Sequence, residues 1–378
     1  MLNRRSLRIK VMQSLFAFHQ GKEANYLLCK DEVERAFEPD LNSMEVQDKK
    51  ELTRQRKEAI KLLDKVFEKN APLANDDEKI VSVVKAALAH YEKAVRKDAT
   101  AFKKSLSQDV EKIYRQYISV LMLAVSTADA AKADKKINHG NFINNQWIEA
   151  FQKSNELKKE SLRLNVSWEK NFERVRLWLR DVVKQDHEYM AYLDKKNPSQ
   201  EDQKKLINHF FRRIVLGKTI INDFFEEEIL HWAEDRDIVK GMVEKTVKSY
   251  DPKSGEALQL HQLSLNWEDD LHFIEQLFTG SIELKAEHHK LIADNTRNWE
   301  VERLPLTDRV ILEMAITELI SFPSIPVKVT INEYIELAKN YSTPKSRQFV
   351  NGILDVISKE LKTQGGIKKS GRGLMDNK

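Results

Sequence analysis

Apolar positions along most of this chain recur with helical spacing. Leu7, Val11, Leu15 and Phe18, widened by Met12 and Phe16, predict a first helix over about 4–19. Successive amphipathic stretches then predict helices near 48–69, 77–97, 99–126, 141–164, 166–185, 200–215 and 218–248. Breaks fall near Asn70–Pro72, Asn138–Gly140, Asn197–Pro198 and Asp251–Gly255. Farther on, Trp267–Phe278 and Ile282–Asn295 read as two helices joined at Thr279-Gly280. Thr307 is an expected N-cap, with Asp308 in the first turn and an inward stripe of Leu312, Ala315, Ile316, Leu319 and Ile320. Thr330-Ile-Asn-Glu333 reads as a capping box, with Ile331, Ile335 and Ala338 inward. Thr343-Pro344 is expected to open the last helix, whose stripe is Val350, Ile353, Leu354, Ile357 and Leu361. The pattern is that of an all-α protein, ending in a flexible basic tail from 363 to 378.

Composition agrees with the periodicity. Only 11 Gly and 8 Pro occur in 378 residues, and 32% of residues are charged. That scarcity makes Gly352 an anomaly, because glycine inside a helix costs roughly 1 kcal/mol relative to alanine. The single cysteine, Cys29, excludes an intramolecular disulfide and a multi-cysteine metal site. No apolar run approaches the roughly 18 residues of a membrane span, and Lys10, Gln13 and Ser14 interrupt any signal-peptide core. The expectation is a soluble cytoplasmic protein with no membrane association.

Charge is uneven. The first helix carries Arg4, Arg5, Arg8 and Lys10 with no acid, and the last eighteen residues carry five cations against Asp376. Two basic ends suit an anionic partner, or are two solvated tails. Arginines in a first turn oppose the helix dipole, a mismatch relieved by solvent or by a docked anion. Candidate chemistry is sparse. Glu228-Ile-Leu-His231 is an E-x-x-H fragment, but a di-iron bundle needs two such pairs. It lies in an acidic stretch, Asp223 to Asp237, that reads as solvated surface or as a face for a basic partner. Cys29 has no local histidine to activate it. No catalytic residue, metal or cofactor is expected.

The two ends of the chain resemble one family. NRRSLRIKVMQSLFAFHQ, residues 3–20, is similar to the first helix of the NusB family of transcription antitermination factors. The longer match is LPLTDRVILEMAITELISFPSIPVKVTINEYIELAKNYSTPKSRQFVNGILDVI, residues 304–357. It carries Pro326, Val329, Ile331, Asn332, Glu333, Ile335 to Lys339, and Phe349 to Asp355, in the family's order. Residues 269–292 also resemble the family's middle helices. This divides the chain into a first helix at 1–20, a helical insertion or enlarged region at 21–265, a NusB-like core at 266–362 and the tail.

The resemblance implies an all-helical, non-enzymatic RNA-binding factor. It would act with the ribosomal protein NusE on boxA-like single-stranded leader RNA, within the RNA polymerase antitermination complex, and promote ribosomal RNA transcription. By the same resemblance Arg5, Arg8, Phe349 and Asn351 are expected RNA-binding residues and Asp308 the partner-binding one; Arg4, in the same basic first turn, and Lys345, beside Phe349, are expected RNA contacts with them. Phe349 is either a stacking platform for a base or a core aromatic. Asn351 and Gly352 mark either RNA contact or a tight helix–helix crossing. Departures from the family pattern are Lys345 for an acid, Glu313 for an arginine, and Thr317 and Phe16 for tyrosines. A helical interaction adaptor that no longer binds RNA is the alternative reading.

Overall fold

The computed structural model describes residues 2–40, 42, 46–69, 71–296 and 304–377. Asn70, at an expected break, and Lys378, in the basic end, lie outside them. Every regular element among the described residues is helical. The chain runs α1 (Arg4–Arg35), α2 (Lys49–Lys69), α3 (Glu78–Ala133), α4 (Gly140–Ile143), α5 (Gln146–Lys153), α6 (Asn155–Arg163), α7 (Phe172–Asp181) and α8 (His187–Leu193). It continues through α9 (Gln200–His209), which widens into a π-helical turn over Phe210–Val215, then α10 (Thr219–Glu228) and α11 (Trp232–Ser249). The last elements are α12 (Trp267–Ile282), α13 (Ala286–Asn295), α14 (Leu306–Ser321), α15 (Val327–Tyr341), α16 (Ser346–Thr363) and a closing 3-10 turn, Gly371–Asn377.

Two compact units form. The first comprises Met1–Leu7 and Ser107–Leu271, the second Arg8–Leu106 and His272–Lys378. The expected 21–265 region is therefore not one body: its residues up to Leu106 fold with the NusB-like helices. In the first unit the later half of α3 supplies Ile113, Tyr117, Leu121 and Ala124 to an aromatic-rich core. Phe225 stacks on Trp232 at 4.3 Å. Polar tips inside this core are satisfied: Trp147 Nε1 donates to the Val247 carbonyl at 3.0 Å, and Tyr117 pairs with Thr246 Oγ1 at 2.6 Å.

Two groups of apolar side chains can be followed in the second unit. In one, the later part of α1, α2 and the start of α3 pack around Cys29, Val33, Leu63, Ile80 and Val84. In the other, Val11, Leu15 and Phe18 of α1 are buried, and Phe18 meets Phe278 of α12 edge-on. Its centre is α14, where every residue from Val310 to Leu319 is buried. A helix buried on nearly all sides is a core helix rather than a surface one, so the single expected stripe is too narrow.

Several other expected details differ. The 77–97 and 99–126 predictions are one helix, α3, whereas 141–164 is three short ones, separated by caps. Asn145 accepts from Trp147 N at 3.0 Å and Ser154 from Leu157 N at 3.1 Å. Gly280 does not join two helices; α12 runs through it to Ile282. Pro305, not Thr307, occupies the N-cap of α14. Helix α15 starts at Val327, so Thr330 lies inside it, and its buried set is Val327, Thr330, Tyr334, Leu337 and Ala338. Pro344 precedes α16 instead of opening it. The expected flexible tail folds back: Ser370 N donates to the Pro323 carbonyl at 3.0 Å and Lys369 Nζ to that of Phe322 at 2.9 Å.

Candidate functional site

Helix α14 carries three buried acids, Asp308, Glu313 and Glu318, and each engages a side chain on a neighbouring helix. A buried carboxylate is tolerated only when it is paired and hydrogen-bonded. Glu318, fully buried, accepts from Arg8 Nε and Nη2 of α1, both at 2.7 Å. It also accepts from Thr330 Oγ1 at 2.9 Å and Tyr334 Oη at 3.0 Å, both on α15. The Arg8 guanidinium lies 5.6 Å from the Phe273 ring centre and 5.9 Å from that of Tyr334. Burial alone would lower the Arg8 pKa, but the hydrogen bonds and charge of Glu318 hold it above its ordinary value. Burial, and then the charge of Glu318, pushes the Tyr334 hydroxyl well above its own.

These contacts correct two expectations. Arg8 is only 2% exposed and its fork is closed on Glu318, so it is a structural residue and offers no surface to a phosphate. Asp308 is 3% exposed and accepts from Ser346 Oγ at 2.7 Å, tying the start of α14 to the start of α16. It presents no carboxylate to a protein partner. Glu313, where the family pattern has arginine, meets His19 Nε2 of α1 at 3.1 Å. Neither Glu318 nor Tyr334 stands out in the sequence, and Thr330 reads there as a helix cap rather than as a donor to a carboxylate. The available signal was an acid set inside the apolar run Ile316-Thr-Glu-Leu319, where only a partnered carboxylate fits.

Arg4 and Arg5 belong to the first unit. Asn3 caps α1 through Ser6 N at 2.9 Å. Arg4 pairs with Asp269 and lies 3.8 Å from Asp270, so carboxylates from α12 relieve its clash with the helix dipole. Arg5 is exposed.

The remaining expected residues lie on α16 in the second unit. Lys345 occupies its N-cap position, Lys345 and Asn351 are exposed, and Phe349 is half-buried. Spacings of four, three and four place Lys345, Phe349, Gly352 and Val356 on one strip, and Val356 is 41% exposed. A Cβ built on Gly352 would meet nothing within 4 Å. Of the two alternatives for Gly352, the tight helix crossing is not what surrounds it; such a close approach occurs at Gly280, where a Cβ would lie 2.6 Å from Thr317 Cγ2 of α14. Glu228 ends α10 and His231 precedes α11, so the E-x-x-H fragment does not share one helix. Among the described residues no helix is long and apolar enough to cross a membrane.

The fold and this face define a helical-bundle protein whose last helix exposes a strip bearing a lysine and an aromatic ring. A model of the NusB family matches residues 235–359. Curated relatives are transcription antitermination proteins NusB. That of Salinibacter ruber is 45% identical over 103 residues, which is 27% of this chain and 64% of the relative. That of Chloroherpeton thalassium is 43% identical over 104 residues, 28% of this chain and 49% of the relative. The protein of an Exiguobacterium strain is 40% identical over 99 residues, 26% of this chain and 77% of the relative. No solved structure matches. The chain belongs to the NusB family, and it carries a large helical region before the matched span. It spans between about half and two thirds of the length of the first two relatives. The N-terminal segment 3–20 lies outside the matched residues.

Proposed function

We propose that this protein is an RNA-binding transcription antitermination factor whose RNA contact is the outer face of α16. The observation that carries the reading is the open strip Lys345–Phe349–Gly352, with Asn351 exposed on the same helix. A half-exposed ring next to a residue without a side chain leaves room for a base to stack, worth roughly 1–3 kcal/mol. Lys345 stands at a helix N-terminus, where backbone N–H groups and the dipole also favour phosphate. Asn351 supplies donor and acceptor groups for a base edge. The RNA is a boxA-like single strand of a ribosomal leader transcript, bound together with NusE in the cytoplasmic antitermination complex of RNA polymerase. Family membership supports this assignment, and the NusE surface excludes the buried Asp308.

Fluorescence anisotropy across a salt series, with a boxA-like strand and a scrambled control, tests the reading. Phe349→Ala is expected to weaken boxA binding by about 1–3 kcal/mol. Lys345→Ala should lower the slope of log affinity against log salt by about 1. Gly352→Leu should block the strip without unfolding the protein. Equal weak binding of both strands, with NusE present, would overturn the proposal and favour the protein-interaction adaptor.

A further inference from the structure

We propose that a cavity in the first unit binds an organic cation, a guanidinium or ammonium group carried on an aliphatic stem. The cavity holds about 460 Å³, within the range of small-ligand sites. It lies between the later half of α3, the 165–171 segment and the junction of α10 with α11. Gln116 and Asp235 line it, at 5% and 1% exposure. Gln116 Nε2 donates to Asp235 Oδ2 at 3.3 Å, which leaves Gln116 Oε1 buried without a hydrogen-bond partner. An acceptor left this way in a protein interior calls for a donor.

The rest of the lining does not provide that donor. Trp168 and Phe224 are apolar walls, and the Trp168 indole N–H is already directed to the Ser119 carbonyl at 2.9 Å. Lys112 is held by Asp109 at 2.7 Å, and Arg115 donates to the Leu164 carbonyl at 3.2 Å. A ligand N–H fits the chemistry of the buried carbonyl and carboxylate. The lining holds three acids, Asp109, Glu228 and Asp235, against two cations, Lys112 and Arg115, with Arg174 over the Phe224 ring at 4.7 Å, and this excess of acid favours a positive ligand. Glu228 is exposed in the lining, and Asp223, Glu226 and Glu227 are exposed on the same helix, α10. A phosphate-bearing ligand would meet this acidic surface unfavourably. Leu230, also in the lining, is 88% exposed, an apolar group suited to an alkyl stem. No group of three metal-ligating side chains forms among the described residues, so an organic cation fits the site better than a bare metal ion.

The test is calorimetric titration of the full chain with butylguanidinium and butylammonium, against neutral butyramide and against adenosine monophosphate. Butylguanidinium is expected to bind at least about tenfold tighter than butyramide, equivalent to about 1.4 kcal/mol. Glu228→Lys, at an exposed position, and Gln116→Leu should each weaken it by a similar factor. Circular dichroism reports whether each variant is folded, and Glu228→Lys decides the matter if Gln116→Leu does not fold. Spermidine binding tighter than a blocked arginine tripeptide would identify a free polyamine as the source; the reverse order would identify a basic side chain of a protein partner. The proposal is overturned if no cation binds, if butyramide or adenosine monophosphate binds as well, or if Glu228→Lys leaves the affinity unchanged.

Discussion

At Arg8 the guanidinium fork is closed on a carboxylate that has no access to water. Removing one member of such a pair strands the other, which typically costs about 3–5 kcal/mol. Arg8→Ala is therefore expected to lose that much stability in urea unfolding. Arg8→Met combined with Glu318→Leu should recover most of it, because a well-packed apolar pair avoids the stranded charge. A phosphate-binding role predicts the opposite: unchanged stability and a reduced salt slope for RNA. The arginines of the first helix look alike in sequence, yet Arg4, Arg5 and Arg8 have three different environments. What separates them is a set of partners more than 260 residues away, beyond the reach of any local pattern. The partner of Asp308 is hidden from the sequence in the same way, since Ser346 lies on another helix.

At the scale of elements, two glycines inside helices have opposite surroundings. Gly280→Ala puts a Cβ against Thr317 Cγ2, on a β-branched side chain that is itself buried. Overpacking of this kind costs about 1–3 kcal/mol. Gly352→Ala adds a methyl to open space in a helix and should stabilise by about 0.4–1 kcal/mol. Denaturant midpoints of the two variants should move in opposite directions. The three-helix cluster of α1, α2 and α3 has its own signature. Burial pushes the Cys29 thiol up to about 11, from an ordinary value near 9. The folded state thus favours the protonated form, and its contribution is complete below pH 9 and lost as the pH rises towards 11. Alkaline titration by circular dichroism should show that loss, and Cys29→Ala should flatten it. Element existence was readable because the apolar spacing is strong. Divisions were not: α3 passes the expected joint near residue 98 with no proline or glycine there. The 141–164 stretch breaks at side-chain caps that leave its periodicity intact.

For the whole molecule, the expected domain plan placed one insertion between the first helix and the family core. The chain instead passes between its two units after Leu7, Leu106 and Leu271, each time inside a helix, α1, α3 or α12. Domain boundaries usually betray themselves by polar, glycine- or proline-rich linkers. Here they carry no compositional mark, so only the family motifs showed where the C-terminal core begins. The strip on α16 was legible for the same reason, because it lies within a long ordered motif. The cavity was not: Gln116, Trp168, Glu228 and Asp235 come from separate parts of the chain.

The Arg8–Glu318 pair also sets a schedule. Its members are 310 residues apart, so α1 leaves the ribosome long before its carboxylate exists. At about 5–20 residues per second, the interval is roughly 15 to 60 seconds. Throughout it, Val11, Leu15 and Phe18 lack the C-terminal helices that cover them. Nascent α1 is then a candidate for chaperone capture, and completion of the bundle awaits nearly the last helix made. Pulsed hydrogen exchange during refolding should show α1 amides from Arg8 to Phe18 gaining protection together with those of α14 and α15. Protection of that segment well before α14 would mean that its early contacts are made elsewhere in the chain.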